Sequence, residues 1–444
     1  MPGPLSGIKV LDFTWALAGP YGVMILADLG AEVWKIETAH QNETRRGSGP
    51  YVHGVSTYFF SVNRGKKSIM LDLKVPEAKE IVYKMVEQID VLTENFSPGT
   101  MEGLGFGYDE MSARNPRLVY ASTSGFGHTG PYRERGAVDA IVQGMGGVMS
   151  MTGHTGGNPA RAGYSIGDMG GGMYTAIGVL SALVERDRSG LGQHVDVAML
   201  DAQVALMENA LVRYTSTDQV QGPVGLRHPL STPHQAFPAK DGWVVVANVK
   251  DHNWPLFCGL LGCDELATDE RFATNPIRTK NYAELEPILF EAFRRKTKAE
   301  WQELLSPVAL IGPMNRVDEV AADPQVAARE MLVDLPTWTG GTLRVANTPV
   351  KLSRTPGGAV RGAAKPGEHA NEILGAIGYT ETEVAHLFES GAVGQLRDSW
   401  TLRSRQVLSC AGNEREIVCV PGPPGGGRCR RGRLQRPRED LGRR

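Results

Sequence analysis

The stretch "GIKVLDFTWALAGPYGVMILADLGAEVWKIE" (residues 7–37) contains the pattern that decides the fold. An apolar strand pattern at 7–13 is followed by a helical pattern at 18–30 that ends at a glycine, and a second strand pattern follows at 31–37. Two short apolar runs separated by a helix are typical of a βαβ unit with parallel strands. The stretch therefore predicts the start of a parallel sheet that is covered by helices.

The same alternation continues along the chain. Further strand patterns lie at 68–73, 90–96, 118–127 and 194–200, and helical patterns lie at 76–89, 173–187 and 201–214. Strands that alternate with helices of about 10–15 residues favour a doubly wound α/β sheet. We therefore predict a Rossmann-like large domain.

The pattern changes near residue 216, where Gly, Pro, Ser and Thr become frequent before a different set of strands and helices begins. We predict an α/β chain in which residues 1–215 form the large domain, 216–330 form a smaller α+β domain that interrupts it, and 331–395 return to the large domain. Residues 396–444 are predicted to form a disordered tail. This last segment is rich in arginine, glycine and proline.

Composition limits the class of protein. The 444 residues are 41% hydrophobic and 22% charged, with a net charge of −2, as in an ordinary globular protein. The N-terminus lacks a signal-peptide pattern, and no apolar run approaches the length of a membrane span. The five cysteines show no metal-ligand spacing. We therefore expect a cytoplasmic protein with no metal site and no membrane partner.

The tail raises the question of nucleic-acid binding. Residues 401–444 contain eleven arginines and four acids, whereas the rest of the chain is acidic overall. The tail lacks interleaved aromatic residues and a binding fold, so we expect no nucleic-acid partner. The string "GFGHTG" (125–130) is a literal dinucleotide fingerprint, but Pro131 follows where a helix must begin. We therefore do not predict NAD binding.

One acid lies in an unusual setting. In "GYSIGDMGGGMYTAIGVL" (163–180), five glycines surround Asp168 just before an apolar run. Asp is a favoured helix N-cap residue, so a capping role is one interpretation. A carboxylate held at a helix N-terminus for chemistry is the other interpretation, and one residue could serve both roles.

The chain resembles the class III CoA-transferases, which include formyl-CoA, carnitine and dicarboxylate CoA-transferases and are related to α-methylacyl-CoA racemase. The segments that carry the resemblance lie between about residues 5 and 395 and include "LSGIKVLDFTWALAGPYGVMILADLGAEVWKIE", "NRGKKSIMLDLK", "DVLTENFSPGTMEGLGFGY", "NPRLVYASTSGFGHTGPY", "GDMGGGMYTAIGVLSAL" and "SGLGQHVDVAMLDA". The resemblance implies a large Rossmann-like domain, a small middle domain and an interlocked homodimer.

The resemblance also implies a reaction. Asp168 lies where the family has its catalytic aspartate, which attacks the thioester carbonyl of acyl-CoA to give a mixed anhydride and then an aspartyl-CoA thioester. The CoA thioester is thus a substrate, and we expect no permanently bound cofactor. A helix N-terminus is expected to lower the pKa of Asp168, and the backbone N–H groups around Gly170 and Gly171 are expected to stabilise the oxyanion.

The expected CoA contacts follow by position. They are Trp15, Ala16, Leu17, Ala18, Leu71, Lys74 and Asn95. Thr38 and Gly103 stand where some relatives have arginine, so part of the phosphate contact set differs here. The glycine-rich active-site loop of formyl-CoA transferase is also absent, and this disfavours formate and oxalate as the substrate pair.

The acid substrates are expected to be dicarboxylates such as succinate, with succinyl-CoA as a candidate donor. Arg46 and Arg227 are the arginines expected to meet their carboxylates, because the guanidinium fork bonds both oxygens. The alternatives are a racemase and a non-catalytic CoA-binding partner subunit. A racemase needs a second proton carrier, and Val138 stands where the racemases have histidine.

Overall fold

A computed structural model describes residues 3–38, 46 and 48–395 of the chain. Its strands are β1 (Lys9–Asp12), β2 (Glu32–Thr38), β3 (Tyr51–Val52), β4 (Val55–Ser56), β5 (Lys67–Leu71), β6 (Val91–Glu94), β7 (Val119–Ser124), β8 (His194–Ala198), β9 (Gln235–Ala239), β10 (Gly242–Ala247), β11 (Leu310–Pro313), β12 (Leu332–Pro336) and β13 (Thr342–Ala346). The predicted tail, residues 396–444, lies outside the described residues.

Six of these strands form one parallel sheet in the order β5-β2-β1-β6-β7-β8. Val10 of β1 pairs with Val33 of β2 on one side and with Val91 of β6 on the other. After β1, the strands β2 and β5 therefore add to one side of β1, and the later strands β6, β7 and β8 add to its other side. The gap between the ends of β1 and β6 is a topological switch point, where open α/β sheets bind their ligands. The predicted α/β fold is confirmed.

The helices are α1 (Ala18–Asp28), α2 (Thr57–Asn63), α3 (Pro76–Val86), α4 (Thr100–Leu104), α5 (Tyr108–Arg114), α6 (Asp139–Met145), α7 (Val148–Met151), α8 (Ile166–Ser189), α9 (Met199–Leu206), α10 (Glu208–Thr217), α11 (Trp254–Leu261), α12 (Asn275–Lys280), α13 (Tyr282–Phe293), α14 (Lys298–Leu305), α15 (Val317–Ala321), α16 (Pro324–Ala328), α17 (Ala370–Ala376) and α18 (Glu381–Glu389). Two of these differ from the prediction. Helix α8 begins seven residues before the predicted 173, and the predicted helix 201–214 is two helices, α9 and α10.

Alternate residues of each central strand supply two separate cores. Leu11 and Trp34 face one side, where they join residues of α3, α17 and α18. Val10 and Val33 face the other side, where they join residues of α1 and α8. Successive side chains of a strand point to opposite faces of the sheet, and this alternation separates the two cores. Because both faces are buried, the strand sequences are continuous apolar runs.

Helices α1 and α8 pack closely because glycine occupies the contact on both sides. A Cβ added to Gly22 in α1 would lie 2.6 Å from the carbonyl oxygen of Gly172. One added to Gly172 would lie 2.5 Å from the carbonyl oxygen of Ala18. The α1 helix follows the loop after β1, so this contact fixes that loop relative to α8.

The middle of the chain builds a second, antiparallel sheet in the order β11-β10-β9. Its core contains Phe237 from β9 and Phe257, Phe293 and Trp301 from the helices that cover it. Every buried member of this core lies between residues 237 and 309. The strands β12 and β13 form a hairpin that packs on Phe59 and Phe60.

The last described segment returns to the parallel sheet. Ile373 and Leu374 of α17 and Leu387 of α18 are buried in the core formed around Leu11. Val393 forms an antiparallel bridge with Leu71 at the end of β5. Within the described residues, no helix is both long and apolar enough to cross a membrane.

Candidate active site

A cavity of about 510 Å³ opens at the carboxyl ends of β1, β6 and β7. Six predicted site residues line it together, namely Trp15, Ala16, Leu17, Ala18, Asn95 and Asp168. They come from the loop after β1 and the start of α1, from the loop after β6 and from the first turn of α8. The cavity thus occupies the switch point of the sheet.

The two loops at the switch point are joined by one side chain. The amide of Asn95 donates from Nδ2 to the carbonyl oxygen of Trp15 at 2.9 Å and accepts at Oδ1 from the Trp15 backbone N–H at 2.8 Å. The next residue, Ala16, has a φ of 61°, a left-handed conformation uncommon for a residue other than glycine. Asn95 therefore holds the β1 loop in the shape that forms one wall of the cavity.

Asp168 is not the cap of its helix. The N-cap of α8 is Ser165, whose side chain makes no capping bond. The carboxylate of Asp139, at the start of α6, accepts instead from the backbone N–H groups of Gly167 at 2.9 Å and Asp168 at 3.4 Å. Among the described residues, the Asp168 carboxylate has no hydrogen-bond partner, and Asp168 lines the cavity.

The surroundings make this carboxylate unusually basic. Burial is the main reason that the pKa of Asp168 is raised to about 6, the negative charge of Asp139 adds to the effect, and Arg161 opposes it. The prediction that the helix N-terminus lowers this pKa is therefore wrong, because burial outweighs the helix terminus and because Asp139 accepts from first-turn N–H groups. A carboxylate with a pKa near 6 is still mostly ionised at neutral pH, so it can act as a nucleophile.

The glycines after Asp168 do not form an oxyanion site. Since α8 begins at Ile166, the N–H groups of Gly170 and Gly171 belong to the helix ladder. Gly170 packs toward Leu206, and Gly171 packs toward Met199. Their predicted role toward the substrate is corrected to close packing of α8 on its neighbours.

Leu71 and Lys74 lie at the carboxyl end of β5 and do not line the cavity. The Leu71 side chain is fully buried in the sheet core, whereas Lys74 is exposed. The end of β5 lies two strands from β1, a distance of about 10 Å in a sheet. A contact of these residues with a distal part of CoA stays a prediction.

The structure contradicts Arg46 as a substrate ligand. Arg46 is only 4% exposed. Its Nε and Nη2 donate to the two Glu37 oxygens at 2.8 and 2.6 Å, and its Nη1 donates to the Ala364 carbonyl at 2.8 Å. The guanidinium also lies over the Phe59 ring. Arg46 therefore links Glu37 of β2 to the segment around Ala364.

Arg227 lies outside the cavity that contains Asp168. Its guanidinium sits 4.6 Å from the centroid of the Tyr282 ring, beside the second sheet, and it is not among the residues that line the cavity. A different arginine, Arg161, lines the cavity and forms an ion pair with Asp139 at 3.2 Å. Neither Arg161 nor Asp139 was predicted from the sequence as a site residue. The only sequence signal was the position of Asp139 beside Val138.

Comparison with known proteins identifies the family of the chain. Residues 5–370 match the family described as CoA-transferase family III. The chain belongs to that family. It is 42% identical to an acetyl-CoA:oxalate CoA-transferase of Acetobacter aceti over 79% of this chain and 90% of that protein. It is 33% identical to the human succinyl-CoA:glutarate CoA-transferase over 88% of this chain and 90% of that protein.

Solved structures agree with the family assignment. A CAIB/BAIF family protein from Brucella suis has a TM-score of 0.79 at 36% identity, over 85% of this chain and all of that chain. At this identity and coverage, the likeness extends across the family fold and is not confined to the sheet. No group of three or more His, Cys, Asp or Glu side chains suited to a metal ion occurs in the part of the chain that the structure describes.

Proposed function

We propose that this family member transfers CoA from an acyl-CoA to a dicarboxylic acid, with Asp168 as the nucleophile. The observation that carries the proposal is the unpaired Asp168 carboxylate in a cavity at the switch point of the sheet. The relatives support the substrate class. Besides the oxalate and glutarate enzymes, a succinate–glutarate CoA-transferase of Agrobacterium fabrum is 37% identical over 84% of this chain.

The proposed chemistry splits one exchange into steps that share Asp168. Its carboxylate attacks the thioester carbonyl, and the C–S bond breaks to give a mixed anhydride and CoA thiolate. The thiolate attacks the Asp168 carbonyl, which releases the first acid and leaves Asp168 as a CoA thioester. The acceptor carboxylate then attacks this thioester, and the released thiolate attacks the acceptor's acyl carbonyl, which regenerates Asp168.

The surroundings of Asp168 suit these steps. Partial burial limits hydrolysis of the anhydride by water, and the raised pKa gives the carboxylate more basicity than a solvated aspartate has. Asp139 holds the first turn of α8 from outside, so acylation of Asp168 does not remove the helix cap. Trp15, Ala16, Leu17, Ala18 and Asn95 are proposed to hold CoA along the β1 and β6 loops.

The test is direct. The purified protein is incubated with succinyl-CoA and a panel of mono- and dicarboxylic acids, and new CoA esters are identified by mass. Asp168→Asn is expected to stay folded and to lose transfer by orders of magnitude. Incubation of the wild type with an acyl-CoA alone is expected to add the mass of CoA less one water to a peptide containing Asp168, because the thioester replaces the carboxyl OH by S-CoA. Retention of more than about a tenth of wild-type transfer, only about 1.4 kcal/mol of barrier, contradicts the nucleophile role.

A racemase remains the second candidate by family relationship. It needs a proton carrier on each side of the α-carbon. Val138 lines the cavity with a 64% exposed side chain that cannot carry a proton. Retention of the α-proton of a 2-methylacyl-CoA in D₂O is therefore expected, and rapid exchange would favour the racemase.

We further propose that two chains assemble into a homodimer. Met173, Ile177 and Val184 are exposed by 39%, 55% and 56% along one side of α8. Large apolar residues at this helical spacing form a face that monomeric proteins ordinarily cover. Light scattering is expected to give twice the mass of one chain, and a monomer at micromolar concentration contradicts this proposal.

A further inference from the structure

One guanidinium group at the wall of the cavity is held in place but not fully paired. Arg161 donates from Nε to Asp139 Oδ2 at 3.3 Å and from Nη2 to the Ser165 hydroxyl at 3.2 Å. Its Nη1 has no partner among the described residues. The side chain is 49% exposed and lines the same cavity as Asp168. The Nη1 atom therefore remains available to a ligand.

The segment that carries Arg161 is fastened to the site. The Gln143 side chain accepts from the Ala162 backbone N–H at 3.0 Å and donates to Asp139 Oδ2 at 2.7 Å. Gln143 is fully buried. Asp139 thus binds Arg161 through Oδ2 and the first turn of α8 through Oδ1. A single carboxylate fixes the cation and the nucleophile relative to each other.

Two other arginines line the cavity, but neither is tied to the nucleophile. Arg135 lies over the Tyr132 ring at 4.0 Å, and Arg133 has no ion-pair partner among the described residues. Arg161 differs because its charge reaches the Asp168 carboxylate and opposes the rise in its pKa. It is the arginine best placed to meet a group that is covalently linked to Asp168.

The chemistry of the substrate requires such a cation. A dicarboxylate joined to Asp168 as an anhydride uses one carboxyl group and keeps the other as an anion. Burying that anion is costly unless a cation pairs with it. An arginine with an unpaired Nη1 suits this anion, because hydrogen bonds between a guanidinium and a carboxylate are charge-assisted and strong.

We propose that Arg161 binds the distal carboxylate of the acid substrate and thereby sets the preference for dicarboxylates over monocarboxylates. The inference rests on the proposed transferase function, with Asp168 carrying the acyl group. Asp139 acts as the positioning residue that orients the guanidinium. The free Nη1 edge supplies the donors that the substrate uses.

The experiment compares succinate with butyrate, which has the same chain length and one carboxylate. In a ping-pong reaction, kcat/KM for the acceptor reports only the half-reaction with that acid. In Arg161→Gln, kcat/KM for succinate is expected to fall about 10- to 100-fold, as expected for lost hydrogen bonds to a charged group. The value for butyrate and the KM for the CoA ester are expected to change little.

The controls separate recognition from a general structural effect. Arg188→Gln removes an exposed arginine at the far end of α8 and is expected to leave both acids unchanged. Arg161→Lys keeps the charge without the fork and is expected to retain part of the preference. If Arg161→Gln fails to fold, the succinate-to-butyrate ratio in Arg161→Lys decides the question. Added guanidinium is expected to restore succinate use in Arg161→Ala more than butyrate use.

Three outcomes separate the failure of this inference from the failure of the proposed function. A wild type that transfers CoA, with a succinate-to-butyrate ratio that Arg161→Gln leaves unchanged, overturns the role of Arg161 alone. An equal fall for both acids has the same meaning, because a purely structural role affects both. A wild type that transfers CoA to no acid in the panel contradicts the proposed function itself.

Discussion

Replacing the nucleophile is expected to make the protein more stable at neutral pH. An acid whose pKa is raised by folding costs stability wherever it is ionised. For Asp168 the pKa rises from 3.8 to about 6, so the cost is complete above pH 6 and absent below about pH 3.8. Asp168→Asn removes the charge at similar volume and is therefore expected to raise the free energy of unfolding at pH 7.5.

The magnitude follows from the same two values. A rise from 3.8 to about 6 corresponds to at most about 3 kcal/mol. Solvent reaches part of this carboxylate in the open cavity, and screening reduces the gain to about 1–2 kcal/mol. For a chain of this size, that gain is expected to raise the unfolding midpoint by a few degrees.

The assay is thermal unfolding of wild type and Asp168→Asn at pH 7.5 and at the lowest pH where both are folded. The stabilisation is expected to be largest at pH 7.5 and to shrink as the pH falls through 6 toward 4. Asp12→Asn is the control, and its effect on the free energy of unfolding is expected to have the opposite sign. Burial alone would raise the pKa of Asp12, but Lys35 and Lys66 lower it to about 2. Removing this charge leaves Lys66 buried without its partner, which lies at 2.9 Å, and is expected to destabilise the protein.

Either of two results would refute this prediction. If Asp168→Asn is less stable than wild type at pH 7.5, the carboxylate is not penalised by its surroundings. If its stabilisation is independent of pH, the gain arises from packing or capping and not from the removed charge.

Three further predictions concern the surroundings of the site. In wild type, kcat/KM is expected to fall on the acidic side near pH 6, where Asp168 becomes protonated. In Asp139→Asn this fall should move to lower pH, because a negative charge that raises the pKa of Asp168 is lost. An unchanged pH dependence contradicts this electrostatic coupling. Gly172→Ala should cost about 1–3 kcal/mol by overpacking α1 against α8, whereas Gly375→Ala, with open space around its Cβ, should be neutral or stabilising in the same unfolding assay. Arg46→Ala should cost about 3–5 kcal/mol by leaving the buried Glu37 without its ion-pair partner, and it should not change the succinate-to-butyrate ratio. A selective loss of succinate use would restore its predicted role.

The sequence by itself determined the layers of the fold. Strand patterns at 7–13 and 31–37 around a helix predict parallel pairing, and β1 and β2 pair in parallel through Val10 and Val33. These patterns are local, because burial on both faces of a sheet requires continuous apolar runs. The family resemblance placed Asp168 and the β1 loop in one site, and the structure lines one cavity with them.

Only the tertiary structure decided what surrounds Asp168. Its helix is capped by Asp139, which lies 28 residues before Gly167 in the chain, and no local pattern predicts a cap from another helix. Burial, and after it the negative charge of Asp139, raise the pKa that the helix terminus alone was expected to lower. Arg46 was assigned to the substrate from its loop, yet it is bound by Glu37 and by Ala364, 318 residues away. Charges act through distance in space, so their partners, and with them the pKa values and the free guanidinium groups, are set by long-range packing.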